Sequence, residues 1–126
     1  MSGEKTEEEK KPAFRRAYEK EQTEKLKTAQ LFSVDDFISS ATKTHEVYVP
    51  EIGGKVQYKI MDINETDEAA KLEGRQRSRL MLYTFLHKAD PSVTKEKIGK
   101  MSDPDATAVL NAILADIRFL QQPNET

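Results

Sequence analysis

The 126-residue chain has no cysteine, which excludes disulfides, thiolate nucleophiles, cysteine-based zinc sites and iron–sulfur ligation together. Histidine is nearly as scarce. His45 and His87 are the two imidazoles, and no spacing such as i,i+4 on one helix joins them into a metal site. His45 instead opens a strand, and His87 closes a helix, where a cation suits the negative end of the dipole. A surplus of one charge is missing too: 20 Lys and Arg stand against 22 Asp and Glu. The net charge of −2 provides no global field to draw in nucleic acid or an anionic membrane. No apolar run approaches the roughly 18 residues of a membrane span, and residues 1–11 are charged where a signal peptide needs an apolar stretch. The expectation is a soluble, cytoplasmic protein with no membrane partner.

The composition points to one domain and a tail. Hydrophobic residues make up 37% and charged ones 33%, against an apolar share of about 45–50% in ordinary globular domains, so part of the chain cannot bury itself. That part is residues 1–31, a charged leader with 8 basic and 7 acidic residues up to Ala29. A frayed helix is expected over residues 13–31, with Phe14, Tyr18 and Leu26 along one side and disorder before it. Residues 32–121 form the domain and residues 122–126 a polar tail.

Within the domain the hydrophobic period changes twice. Ser33 and Asp36 open a short helix that ends near Ala41. Val47 and Val49, then Val56, Tyr58 and Ile60, alternate with polar or exposed positions at the strand period of two. Between them Pro50, Glu51, Ile52, Gly53 and Gly54 supply a strand stop and paired glycines for reversing the chain, so a hairpin is expected. A two-stranded ribbon is marginal alone and needs helices over its apolar face. One long helix is expected over residues 66–88, capped by Thr66, carrying Leu72, Leu80, Tyr83 and Leu86, weakened at Gly74 and ended by Asp90-Pro91. A short helix or turn follows at residues 94–101. Asp103 then serves as N-cap with proline next, opening a core helix of Val109, Leu110, Ile113, Leu114, Ile117 and Leu120. The fold class is α+β and mostly helical, one hairpin packed on a long helix and a C-terminal helix.

No catalytic, cofactor-binding or metal-binding residues emerge. Gly53-Gly54-Lys55 lacks the leading glycine of a phosphate-binding loop, has Val56 where Ser or Thr should bind magnesium, and precedes a strand rather than a helix. The serines lie in cap or loop contexts without a nucleophile elbow. Carboxylates cluster in solvated runs such as Glu7-Glu8-Glu9, where nothing perturbs them for acid–base work. Two surfaces deserve testing instead. Lys71, Arg75 and Arg79 form a candidate basic face, with Arg77 pointing elsewhere and Glu73 diluting the field. Met81, Leu82 and Phe85 exceed a single apolar stripe. Either their helix is sandwiched between the hairpin and the last helix, or they form an apolar patch for a partner.

The segment Val47-Tyr48-Val49-Pro50-Glu51-Ile52-Gly53-Gly54-Lys55-Val56, with a long helix, Asp90-Pro91 and two closing helices after it, resembles the tail assembly chaperones of long-tailed phages and phage-like elements. In that family a short helix likewise precedes a strand ending in a Pro-Glu-Leu/Ile-Gly-Gly type turn. The resemblance spans residues 32–120 in the order and spacing of elements, and its recognisable motif is the turn; the 30-residue charged leader departs from it. It implies a viral or prophage protein of the host cytoplasm without cofactor. Such a protein binds a helical client, the tape measure protein, by apolar association, keeps it soluble, and leaves before the tail is complete. Self-association and a frameshifted longer product belong to the same expectation. A small nucleic-acid-binding adaptor using the basic helix face is the alternative.

Overall fold

In the computed structural model the described residues are 12–121, so the expected disorder of the first residues and the tail at 122–126 lie outside them. The chain divides into two units, residues 1–33 and 34–126. In the first, α1 (Ala13–Thr28) is a solvated helix with no buried residue. It stops short of Leu31, its end marked by the extended backbone of Ala29. Glu21 and Lys25 pair along it at 2.7 Å, an exposed contact that solvent and salt screen, so it adds little to the helix.

The second unit begins with α2 (Val34–Ala41), whose Asp35 and Asp36 suit the positive end of its dipole. The hairpin follows as β1 (His45–Val49) and β2 (Gly54–Tyr58). They are antiparallel, with Val47 opposite Val56 and Val49 opposite Gly54. Alternation along both strands turns Val47, Val49, Val56 and Tyr58 to one side, and Val49 and Tyr58 are fully buried there. The turn between them uses one left-handed glycine rather than a pair. Gly53 alone adopts positive φ, +67°, and its N–H donates to the Val49 carbonyl at 3.0 Å, while Gly54 already belongs to β2.

The expected long helix is two helices, α3 (Ile63–Ala70) and α4 (Gly74–Ala89). Gly74 is the cause: at φ +57° it takes a conformation that other residues reach only with strain, so the helix phase restarts there. Asp62, not Thr66, caps α3. Its carboxylate accepts from the Glu65 N–H at 2.8 Å, and the Glu65 carboxylate accepts from the Asp62 N–H at 2.9 Å, the reciprocal capping box. After α5 (Lys95–Gly99) comes α6 (Asp103–Leu120), capped by Ser102, whose hydroxyl accepts from the Asp105 N–H at 3.2 Å. Asp103 is therefore the first helical residue rather than the cap.

The architecture is mostly helical α+β: among the described residues, six helices and one two-stranded hairpin. β2 packs on α4, β1 on α6, and α4 meets both α5 and α6. Their shared core consists of Val49, Tyr58, Leu82, Phe85, Ile98, Val109, Leu110 and Ile113. Leu114 and Ile117 lie at its margin, and Leu120 is half exposed, outside the core expected of α6.

Two polar contacts tie this core across the chain. The Tyr58 hydroxyl donates to the Asp116 carboxylate at 2.6 Å, joining β2 to α6. Lys88 Nζ, at the end of α4, donates to the Ile60 carbonyl at 2.8 Å and to Glu65 Oε1 at 2.6 Å, joining α4 to the hairpin exit and to the capping box of α3. Burial first, then the hydrogen bond to Asp116 and its negative charge, push the Tyr58 phenol well above its ordinary value.

The two turn glycines predict opposite responses to one added methyl. A Cβ meets nothing within 4 Å at either position, so backbone conformation decides. Gly53→Ala is expected to lower stability by about 1 kcal/mol and Gly54→Ala to stay within about 0.5 kcal/mol, read by urea denaturation. Tyr58→Phe is expected to cost about 1.5 kcal/mol at neutral pH, since it removes the donor to a half-buried carboxylate. Because folding raises the phenol's pKa, the Tyr58 contribution is complete below the unfolded value of about 10 and is lost as pH climbs above it. Stability curves above that pH should be shallower for Tyr58→Phe than for the parent protein; coincident slopes would refute the assignment.

Candidate interaction surfaces

The two histidines are occupied by structural contacts. His45 stacks on Tyr58 with ring centroids 5.3 Å apart. His87 Nδ1 lies 2.7 Å from the Val93 carbonyl oxygen, and its ring stacks on Tyr83 at 4.9 Å, with Lys95 Nζ over the same tyrosine. Among the described residues no three histidine or carboxylate side chains gather to hold a metal ion, and none of their polar or charged residues is buried. No helix among them is long and apolar enough to cross a membrane.

The apolar patch expected at Met81, Leu82 and Phe85 is core instead. Leu82 and Phe85 are each 2% exposed, and Met81 is half-buried against them. Of the two arrangements open for this helix, the sandwich holds: α4 lies against β2 on one side and α5 and α6 on others. Within α4, Leu82 and Phe85 lie deepest while Leu80, Tyr83 and Leu86 are half-buried.

The basic face does not assemble either. Lys71 lies beyond the end of α3 and pairs with Glu68 at 2.8 Å, while Arg75 reaches Asp103 at 3.2 Å. Arg77, the member expected to point elsewhere, has a structural task. Its Nε donates to the Leu72 carbonyl at 2.9 Å and to that of Ala69 at 3.3 Å, and its Nη2 donates to the Ala70 carbonyl at 3.2 Å. These carbonyls lie at and just beyond the C-terminal end of α3, where the helical hydrogen-bond pattern runs out. Of the three residues of the expected face, Arg79 has no ion pair among the described residues.

Two grooves flank α6. One, of about 360 Å³, runs between α4, α5 and α6 over Leu82, Ile98 and Leu110, with Arg75 and Arg79 at its rim. The other, of about 450 Å³, lies between β1 and α6. It is lined by Val47, Tyr48, Ala112, Ala115 and Phe119, with Glu51 and Asp116 as its charged groups. Pro50 and Glu51 of the hairpin turn border this second groove, and Ile52 is exposed at the tip. Sequence reasoning missed both grooves, because each joins residues more than 50 positions apart or on helices whose phase was not yet defined.

Apolar surface remains on the first two helices. In α1, Phe14, Tyr18 and Leu26 are exposed; in α2, Val34, Phe37 and Ile38 are exposed by 72%, 60% and 57%. No protein-family model, curated protein or solved structure matches the chain.

Phe85→Ala is expected to lower stability by about 3–5 kcal/mol, as a buried aromatic ring in a closed core does. An exposed docking residue at that position would lose binding and leave the denaturation midpoint nearly unchanged.

Proposed function

We propose that the protein is a non-catalytic binding module of the tail-assembly-chaperone type, which holds an apolar helix of a tape measure protein in solution. The observation that carries this reading is α2: an eight-residue helix with no buried residue, whose Val34 and Ile38, four residues apart on one face, are exposed by 72% and 57%. A helix this short has little stability of its own and needs tertiary packing or a partner. An exposed apolar helix face is the chemistry that takes up another helix by its i, i+3, i+4 residues. The order of elements agrees with the resemblance: short helix, hairpin with the Pro50 to Gly54 turn, long helical segment, then two closing helices. The client surface moves from α4, where the residues are needed for the core, to the N-terminal side of the hairpin.

Nucleic-acid binding loses its support, because Lys71 and Arg75 are paired with carboxylates and Arg77 caps α3. The mechanism is association alone. Burying a Val or Ile side chain against a client contributes about 1.5–3 kcal/mol, so two or three such residues supply a reversible grip suited to a protein that must later depart.

Co-expression with a tape measure protein tests the reading. The wild-type module is expected to keep that client in the soluble fraction and to co-purify with it. Val34→Asp combined with Ile38→Asp should reduce recovery by roughly tenfold or more while the circular dichroism melt stays in place. Failure of the wild type to associate or to solubilise the client would overturn the proposal.

A further inference from the structure

We infer that the protein self-associates, with α1 of one copy seated in the groove between β1 and α6 of a second copy. The inference rests on a helix that lacks a surface and a groove that fits it in chemistry. α1 has 16 residues and buries none of them, and a helix of about this length is marginal in water unless tertiary packing supports it. Its Phe14 and Tyr18, four residues apart and therefore on one face, are exposed by 78% and 60%. The groove presents matching apolar surface. Its floor is made by the alanines of α6, and its walls carry Tyr48 and Phe119, exposed by 62% and 72%. Small residues on the floor let a helix approach closely, and the two rings at the walls bury more area when it does.

Charge selects the occupant. Among the described residues, the charged groups lining the groove are Glu51 and Asp116, with no Lys or Arg. Asp116 accepts the Tyr58 hydrogen bond there. α1 carries five cations and three carboxylates; around Phe14 and Tyr18, Arg15 pairs with Glu19 at 3.4 Å, and Arg16 and Lys20 supply the excess of positive charge. An apolar face flanked by cations thus meets an apolar groove flanked by anions, an arrangement that favours docking and disfavours an acidic helix. Every copy carries both halves, and reciprocal exchange of α1 between two copies makes two equivalent contacts and closes a two-fold dimer. The residues involved differ from Val34 and Ile38, so loss of self-association and loss of client binding are separable.

The test uses the full chain in sedimentation velocity over a range of concentrations. The wild type is expected to shift from monomer to dimer as concentration rises. Phe14→Asp with Tyr18→Asp disables the helix and leaves the groove, whereas Ala115→Glu, at an exposed groove position, disables the groove and leaves the helix. Each variant alone should dimerise at least about tenfold more weakly. Mixed in equal amounts they should recover heterodimer, because the intact helix of one can enter the intact groove of the other. Raised salt should weaken the wild-type dimer, as an interaction between partly exposed charges requires. A wild type that is monomeric throughout overturns the inference, as does a dimer that the variants leave unchanged or a mixture that recovers nothing. Unaltered thermal melts of the variants exclude misfolding as the cause.

Discussion

A two-stranded ribbon has a single hydrogen-bond ladder, too little to hold it in water without helices over its apolar side. The requirement to cover Val49 and Tyr58 organises the rest of the second unit. α4 lies against β2 and α6 against β1, and the core forms where these surfaces meet. Tyr58 is central to this cover. Its ring meets His45 face to face and Phe85 edge to face, and its hydroxyl reaches Asp116 on α6. One side chain thereby joins strand, helix and helix, and its polar end is satisfied at the margin of the core rather than stranded within it.

The interruption before Gly74 adds a second layer of constraint. A break in a helix exposes carbonyls at one end and N–H groups at the next start, and each needs a partner. Arg77 supplies the carbonyls of Ala69, Ala70 and Leu72 with donors from within α4, so the helix after the break closes the helix before it. Lys88, at the far end of α4, reaches Glu65 in the capping box of α3 and the Ile60 carbonyl at the hairpin exit. Two cations that composition would count as surface charge therefore act as fasteners of backbone ends. Their long apolar stems allow this, because the charged head can travel to a carbonyl several residues away while the stem lies along the helix.

Features set by neighbouring residues were legible in the sequence, and features set by distant ones were not. The hairpin is local: the period of two in Val47, Val49, Val56 and Tyr58 and the turn at Gly53 need no information beyond ten residues. The short α2, the end of α4 before Pro91 and the start of α6 near Pro104 are local in the same sense. The phase of α4 was not, because a single glycine separates a continuous helix from two helices, and its φ depends on what the flanking helices pack against. Leu82 and Phe85 stand out in the sequence as surplus apolar material, yet their burial depends on β2, α5 and α6 meeting α4. The links Tyr58 to Asp116 and Lys88 to Ile60 join positions 58 and 28 residues apart, and no pattern in a single sequence marks such pairs. For the basic cluster, spacing along the chain was a poor guide to function. A charge on a helix end is drawn to the nearest orphan carbonyl or carboxylate before it is available to a partner.

The near-balance of charge conceals an arrangement that matters for association. α6 has a groove on each flank, and the two differ in their charges: Arg75, Arg79 and Asp103 line one, Glu51 and Asp116 the other. A net charge of −2 removes long-range attraction for any strongly charged partner, but at contact distance the effective dielectric falls and local sign decides. Apolar helices are poorly discriminated by hydrophobic burial alone, since burial depends on area and hardly on identity. Flanking a groove with one sign of charge adds a cost for the wrong helix as well as a gain for the right one. A module with exposed apolar helices needs that cost, because without it every apolar helix in the cell competes on equal terms.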